Sequence, residues 1–309
     1  MTSLLRVGVV GVGHAGARHA QIYASLPGVR LVAVCDTEAA RAKQTAAALG
    51  CRATTDYRAL LEDVEAASVA VPTSLHAAIG LTLLERGVHL LIEKPLAATL
   101  PQADALIRTA RRRGCVLQVG HVERFNAAIR SAQRFLTHPR FIEVHRLSPY
   151  PHRSTDVSVV LDVMIHDLDL IAWLVRSRAT RIEATGVPVL SQSEDIANAR
   201  LTFASGCIAN LTASRISDES IRRIRVFQEA NYLSIDYKAQ TVELAHKQGR
   251  DIRRVQLPVN RRAPLQDELA AFVRSVRAHH PPLVSGAEGR AALALALRIE
   301  QAMRRHRQQ

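Results

Sequence analysis

Short, nearly continuous apolar runs alternate with longer stretches of helical periodicity through the first third of the chain. The runs at residues 5–10, 30–35, 66–71, 88–92 and 115–119 are of strand length and apolar on both faces, as strands of a covered parallel sheet are. Helical stretches at 15–26, 74–85 and 100–113 separate them. This alternation predicts about six strands in a doubly wound dinucleotide-binding domain. Beyond Gly120 the rhythm changes. A helix at 124–136, a strand at 141–147 and a polar loop at 148–158 lead into a helix at 159–175. Alternating segments follow at 199–203, 208–214, 221–227 and 233–237, with no helix between them, and two helices at 265–278 and 287–304 close the chain. Strands without intervening helices predict an antiparallel sheet. The fold expected is therefore α/β: a Rossmann domain over residues 1–120, then an α+β domain over 121–309 with a largely antiparallel open sheet. A sheet with helices on one face leaves the other to water or a second copy, so a homodimer or homotetramer formed through it is expected.

The first strand runs into Gly11-Val12-Gly13-His14-Ala15-Gly16, and the last of these residues open the first helix. In such a strand, turn and helix, Gly11 permits the tight turn, Gly13 lets the backbone approach a pyrophosphate, and Gly16 lets helix and strand pack closely. The second strand ends in Asp36, 20 residues beyond Gly16. A carboxylate there can accept from both ribose hydroxyls of an adenosine and would repel a 2′-phosphate, so NAD is expected rather than NADP. Pro72-Thr73 follows the run at 66–71, at the sheet edge where the nicotinamide half would lie. His76, one turn further, either faces the cofactor or caps a solvated turn.

The fifth run ends in Glu93-Lys94-Pro95. Lysine is rare in this chain: of 41 Lys+Arg residues only Lys43, Lys94, Lys238 and Lys247 are lysines. A compact ammonium at the carboxyl end of a buried strand is placed to hold a hydroxyl and favour loss of its proton, although an ion pair with Glu93 would also account for it. In the helix after the polar loop, Asp162 and His166 stand four apart and share a face. An imidazole oriented by a carboxylate suits alcohol oxidation, which needs a base for the hydroxyl proton; an ordinary polar face would carry the same pair. No third ligand accompanies them, and no metal is expected.

Composition narrows the class. With 309 residues, 48% of them hydrophobic, the chain has room for two cores, and it contains no apolar run long enough to span a bilayer. Residues 1–10 lead straight into the first strand, so a cytoplasmic protein is expected. Cys35, Cys51, Cys115 and Cys207 lack metal spacing and read as reduced core residues. The net charge of +13 is spread along helices and only 4% of residues are aromatic, which argues against nucleic acid as a partner and for steering of an anionic substrate.

Together, Gly11 to Gly16, Asp36, Pro72-Thr73, Glu93-Lys94-Pro95 and the Asp162/His166 helix resemble the Gfo/Idh/MocA oxidoreductases over essentially the whole chain. The resemblance implies NAD held by Gly11, Gly13, His14, Ala15, Gly16, Asp36, Pro72, Thr73, His76, Glu93 and Lys94. It implies a catalytic group of Lys94, Asp162 and His166, with His166 as acid/base. The glycine usual near the histidine in that family is absent, Met164-Ile165 standing in its place. The stretch from Val119 to Asn126, with Arg153, Asp156 and residues 160–167, is similar to the bacterial UDP-N-acetylglucosamine 3-dehydrogenases of that family. That likeness implies a UDP-sugar substrate contacted by Lys94, His121, Arg124, Asn126, Arg153, Asp162 and His166. Its 3-keto product would pass to a PLP aminotransferase that makes a 2,3-diamino sugar for lipid A. Arg124, Arg153 and Arg215 are candidates for the pyrophosphate, and each could equally be a surface residue. A free sugar, an inositol or another nucleotide sugar as substrate, and a non-catalytic NAD-binding regulator, are the alternatives.

Overall fold

A computed structural model describes residues 3–150 and 157–307. The chain divides into two compact units, one formed by Met1–His121 with Leu265–Arg290, the other by Val122–Pro264 with Ala291–Gln309. The first unit contains β1 (Leu5–Val10), α1 (His14–Ser25), β2 (Val29–Cys35), α2 (Ala39–Leu49), β3 (Arg52–Thr54), β4 (Ala66–Val69), α3 (Thr73–Glu85), β5 (His89–Glu93), α4 (Leu100–Arg113) and β6 (Leu117–Gly120). Their six strands pair in parallel in the order β3-β2-β1-β4-β5-β6. The order reverses at β1/β4, where ligands of doubly wound sheets bind outside the carboxyl ends of the strands. β4 and β6 are buried at every position, which is why they read as unbroken apolar runs. α4 has its boundaries written into it: the Thr99 side chain accepts from Gln102 N, a proline occupies the first turn, and Gly114 ends the helix in the left-handed conformation.

The second unit contains α5 (Ala127–Ala132), β7 (Phe141–Leu147), α6 (Ile165–Val175), β8 (Ala179–Val187), β9 (Ile196–Phe203), β10 (Ile208–Ser214), β11 (Ile221–Phe227), β12 (Asn231–Asp236), β13 (Thr241–Gln248) and β14 (Asp251–Leu257). These strands form one open sheet in the order β14-β13-β12-β11-β7-β10-β9-β8. Every pairing in it is antiparallel except β7 with β10. One face of the sheet is apolar: Ile142, Val144, Leu201, Leu211, Ile224, Val226, Leu233 and Ile235 pack in a single cluster with Leu168 and Ile171 of α6. Each such side chain, fully buried, contributes about 1.5–3 kcal/mol.

The chain closes with α7 (Pro264–Ala278) and α8 (Gly286–Arg307). The sequence reading groups α7 with the second domain, but its apolar stripe Leu269, Phe272, Val273 and Val276 packs in one cluster with Leu5, Val7, Tyr23 and Leu91 of the Rossmann unit. The outer strands β8, β13 and β14 were not expected either. β14 is almost wholly exposed and carries Arg253 and Arg254, so no apolar alternation marks it. The helix expected at 124–136 is broken into two 3-10 turns flanking the six-residue α5. The helix expected at 159–175 begins as a π-turn, Val160–Met164, before α6.

The tightest packing in the first unit is at the glycine turn. A Cβ on Gly16 would lie 1.7 Å from the Gly11 carbonyl oxygen, whereas one on Gly13, at φ −66°, would meet nothing within 4 Å. Gly16→Ala should therefore lower stability by about 3 kcal/mol. Gly13→Ala should stay within about 0.5 kcal/mol of the parent. Urea unfolding of the ligand-free protein checks both.

Candidate active site

In the first unit the expected site residues cluster at the carboxyl ends of the parallel strands. Gly11 leaves β1 at φ +83°, and a Cβ there would sit 2.4 Å from the Ala70 carbonyl oxygen, so no other residue fits the turn. Gly13 is the N-cap of α1 and offers no side chain to its first turn, which contains no acidic residue. The amide groups of His14 and Ala15 thus begin a helix whose positive end faces open space. This cradle fits a pyrophosphate.

Asp36 follows β2 and is 7% exposed. Its Oδ2 accepts from Val12 N at 2.9 Å and its Oδ1 from Glu38 N at 2.9 Å. Arg41 Nη1 donates to both oxygens, at 3.1 and 3.2 Å, and the same guanidinium pairs with Glu38. The carboxylate expected to read the ribose therefore also holds the glycine turn together. Pro72 is the N-cap of α3, and Thr73 is its first residue.

His76 belongs to neither of the alternatives raised by the sequence. Its ring is buried, with Nδ1 2.8 Å from the Pro95 carbonyl oxygen and Nε2 2.9 Å from the Val71 carbonyl oxygen. Burial pulls its pKa below the ordinary histidine value, against the opposing pull of those carbonyls and of Glu93. Both ring nitrogens lie within hydrogen-bond distance of the backbone that leaves β4 and β5, and the neutral ring donates to one of the two carbonyls.

Glu93 ends β5, Lys94 beside it is half-buried, and the Lys94–Pro95 peptide is cis. The Glu93 carboxylate receives Lys94 N at 3.2 Å, lies 3.2 Å from His19 Nε2, and rests against Gly120, where a Cβ would meet its oxygens at 3.0 Å. Burial pushes the Glu93 pKa up, but His19 and Lys94 outweigh it and hold the carboxyl below its usual range. His121, just past β6, is buried.

The second unit carries Asp162 and His166, both half-buried, on the π-turn and the first turn of α6. In a regular α-helix residues four apart are offset by about 40° around the axis. The wider π-turn reduces that offset and brings the two side chains nearer one line. Asp167 and Asp169, on either side of Leu168 just beyond His166, point inward. Arg146 donates Nε to Asp167 Oδ2 at 2.8 Å and Nη2 to Oδ1 at 3.1 Å, and also reaches Glu123 at 3.2 Å. Tyr237 donates to Asp167 at 2.5 Å. Arg124 donates Nε to Asp169 Oδ2 at 2.7 Å and Nη2 to Oδ1 at 3.2 Å, with its guanidinium 4.6 Å from the Trp173 ring centroid.

Two of the expected substrate contacts are buried and bonded within this unit. Arg124 is 2% exposed and its fork is bound to Asp169, where it anchors α6. Asn126 is equally buried: its Nδ2 donates to the Tyr237 carbonyl at 2.8 Å and its Oδ1 caps α5 by accepting from Ala128 N. Arg215 likewise lies inside, bonded to Asp195, Ser191, Ser193 and the Val157 carbonyl. Arg153 and Asp156 fall outside the described residues. Sequence reading missed His19, Ser68, Glu123, Arg146 and Tyr237. His19 and Tyr23, four apart on α1, carried the only signal: polar atoms on a helix face that must be buried.

Among the described residues no group of three His, Cys, Asp or Glu side chains is placed to hold a metal ion. Burial pushes the Cys35 and Cys207 thiols up to about 11, so neither is a nucleophile at neutral pH.

A parallel sheet with an open, uncapped glycine turn, an acid at the end of β2 and a lysine at the end of β5 defines a nicotinamide-dependent oxidoreductase. Residues 5–121 match the oxidoreductase family with an NAD-binding Rossmann fold, and residues 119–233 match the GFO/IDH/MocA C-terminal domain. The chain belongs to the Gfo/Idh/MocA family and is an NAD-dependent oxidoreductase. It is 39% identical over 306 residues, 97% of each chain, to UDP-N-acetylglucosamine 3-dehydrogenase of Acidithiobacillus ferrooxidans. A solved structure of that enzyme superposes with a TM-score of 0.92 and covers 98% of each chain. Myo-inositol 2-dehydrogenase of Thermotoga maritima is 26% identical across 94% of each chain.

Removing one member of a buried ion pair strands the other. Asp169→Ala should destabilise the protein by about 3–5 kcal/mol. Glu65→Ala, which removes the exposed partner of Arg6, should leave the urea midpoint unchanged.

Proposed function

We propose that the enzyme oxidises the 3-hydroxyl of UDP-N-acetylglucosamine to the 3-keto nucleotide sugar. One observation carries this reading: identity of 39% to a UDP-N-acetylglucosamine 3-dehydrogenase extends over 97% of both chains and so includes both units. The side chains needed for the chemistry are present. His166 takes the 3-hydroxyl proton, its imidazole having an unperturbed range close to neutral pH. Asp162 orients the imidazole or the sugar hydroxyl. Lys94 stabilises the oxyanion that develops as the carbon is oxidised. Bound NAD supplies the hydride acceptor, held by Gly11, Gly13, His14, Ala15, Gly16 and Asp36, with Pro72, Thr73 and Lys94 toward the nicotinamide. His121 and Arg153 are the remaining substrate contacts in this reading.

A ketone beside the acetamido carbon is reactive, and transfer to a PLP aminotransferase would convert it to the 2,3-diamino sugar that lipid A synthesis uses. Among the described residues no helix is long and apolar enough to cross a membrane. We place the enzyme in the cytoplasm, with the NAD and UDP-sugar pools, as a homodimer or homotetramer assembled through its open sheet. The second reading, favoured by the full-length likeness to an inositol dehydrogenase, keeps the same residues and changes the substrate.

Purified protein given NAD and UDP-N-acetylglucosamine, with a coupled aminotransferase and glutamate to remove the ketone, should produce NADH. N-acetylglucosamine alone should not, and free UDP should compete. An inositol turned over in place of the UDP sugar would overturn the reading. Lys94→Ala and His166→Ala should fold and bind NAD, yet lose kcat by about 10²–10⁴-fold. Near parental turnover from either variant would remove its catalytic role.

A further inference from the structure

We infer that two buried histidines, His19 and His76, clamp the Glu93-Lys94-Pro95 turn from opposite ends and act as positioning residues for Lys94. The inference rests on the role given above to Lys94. His19 acts on the residue before the lysine, 3.2 Å from the Glu93 carboxylate. His76 acts on the residue after it, 2.8 Å from the Pro95 carbonyl oxygen. Both imidazoles are no more than 1% exposed, and neither has a surface role to explain it.

Each histidine is itself fixed. Behind His19 lies a chain of hydroxyls: Ser68 Oγ is 3.1 Å from His19 Nδ1, and Tyr23 OH is 2.9 Å from Ser68 Oγ. Burial raises the Tyr23 phenol above its ordinary range, with Glu268 adding to the rise, so the phenol keeps its proton. With Tyr23 donating to Ser68 and Ser68 to His19 Nδ1, the imidazole carries a proton on Nε2, on the side of Glu93. This last approach is bent, so it orients the carboxylate through charge and dipole more than through a linear hydrogen bond. His76 lies between the Pro95 and Val71 carbonyls, at 2.8 and 2.9 Å, and so bridges the exits of β4 and β5, donating to one of them when neutral.

The groups facing Glu93 are thus His19 from α1, Lys94 from its own turn, His76 from α3 through charge, and the Gly120 backbone from β6. Those facing His76 are the Val71, Pro95 and Leu96 backbone and Glu93. Such a lysine has a mobile four-carbon stem. Holding the backbone on both sides, and keeping the adjacent carboxylate ionised, fixes where the ammonium begins and the field in which it sits.

The sign of the pH effect follows from Glu93. Burial alone raises its pKa, and His19 is the leading influence that lowers it. Without His19 the carboxyl protonates at higher pH. The test compares His19→Phe, His19→Gln, Ser68→Ala and His76→Phe with the parent, using UDP-N-acetylglucosamine and NAD. His19→Phe should lower kcat about tenfold, with NAD Kd little changed. His19→Gln, which restores a donor toward Glu93, should recover most of the loss, and Ser68→Ala should fall between them. His76→Phe should also lower kcat.

A parallel arm needs no substrate: carbon-13 NMR of the glutamate carboxyls, with Glu93 assigned through Glu93→Gln, should show Glu93 titrating at higher pH in Ser68→Ala, and higher still in His19→Phe. A kcat that falls only as the folded fraction falls would overturn the clamp. So would an unmoved Glu93 titration. Absence of parental turnover with the UDP sugar, with Glu93 shifted as expected, would instead overturn the substrate reading and leave the clamp standing.

Discussion

A carboxylate tied to a buried nitrogen donor stands beside Lys94 and another beside His166. In the first unit Glu93 precedes Lys94 and meets His19; in the second Asp167 follows His166 and takes the fork of Arg146. Such pairs are costly to desolvate and contribute little net stability. Their effect is geometric. A carboxylate held by a planar donor inside a core cannot change rotamer without losing its partner, so the residue next to it in the chain inherits a fixed backbone. Precision of this kind matters more to a proton or hydride transfer than another kilocalorie of stability.

The arginine content of the chain reads differently in this light. A net charge of +13 suggests a surface field for an anionic substrate. Three of the arginines that invite a phosphate reading or neighbour one, Arg124, Arg146 and Arg215, are instead buried against Asp169, Asp167 and Asp195. Guanidinium is more weakly hydrated than ammonium and meets a carboxylate with two parallel bonds, which makes it the cation a core can hold. With only four lysines in the chain, the buried structural cations described here are guanidinium groups. Lys94, half-buried at a strand end, is a different kind of cation in a different kind of place.

What could be read from sequence was what local order determines. The glycine turn, Asp36, the Glu93-Lys94-Pro95 turn and the Asp162/His166 pair each announce themselves within a few residues. Partners distant in sequence do not. His19 gains its meaning from Glu93, 74 positions away (93 − 19), and nothing in the residues around either one points to the other. Arg124 lies in a motif that suggested substrate, while its partner Asp169 lies 45 residues on. The π-turn under Asp162 escapes periodicity because its residues Val160–Met164 suit an α-helix equally well. β14 escapes it because an exposed outer strand has no buried face to alternate against. α7 kept its helical pattern but not its place, since an apolar stripe records that a face is buried and not which sheet covers it.

Cofactor choice and local stability are coupled through Asp36. A carboxylate has about four acceptor positions. Val12 N, Glu38 N and two contacts from one Arg41 nitrogen already engage both of its oxygens. Ribose hydroxyls would therefore share the carboxylate with Arg41 or displace its guanidinium, which is partly exposed and also paired with Glu38. Val12 N is a different matter, because that bond joins the end of β2 to the middle of the glycine turn. The negative charge that would repel a 2′-phosphate is thus also the acceptor that holds the glycine turn in shape. Removing the carboxylate would take that charge away and loosen the glycine turn together.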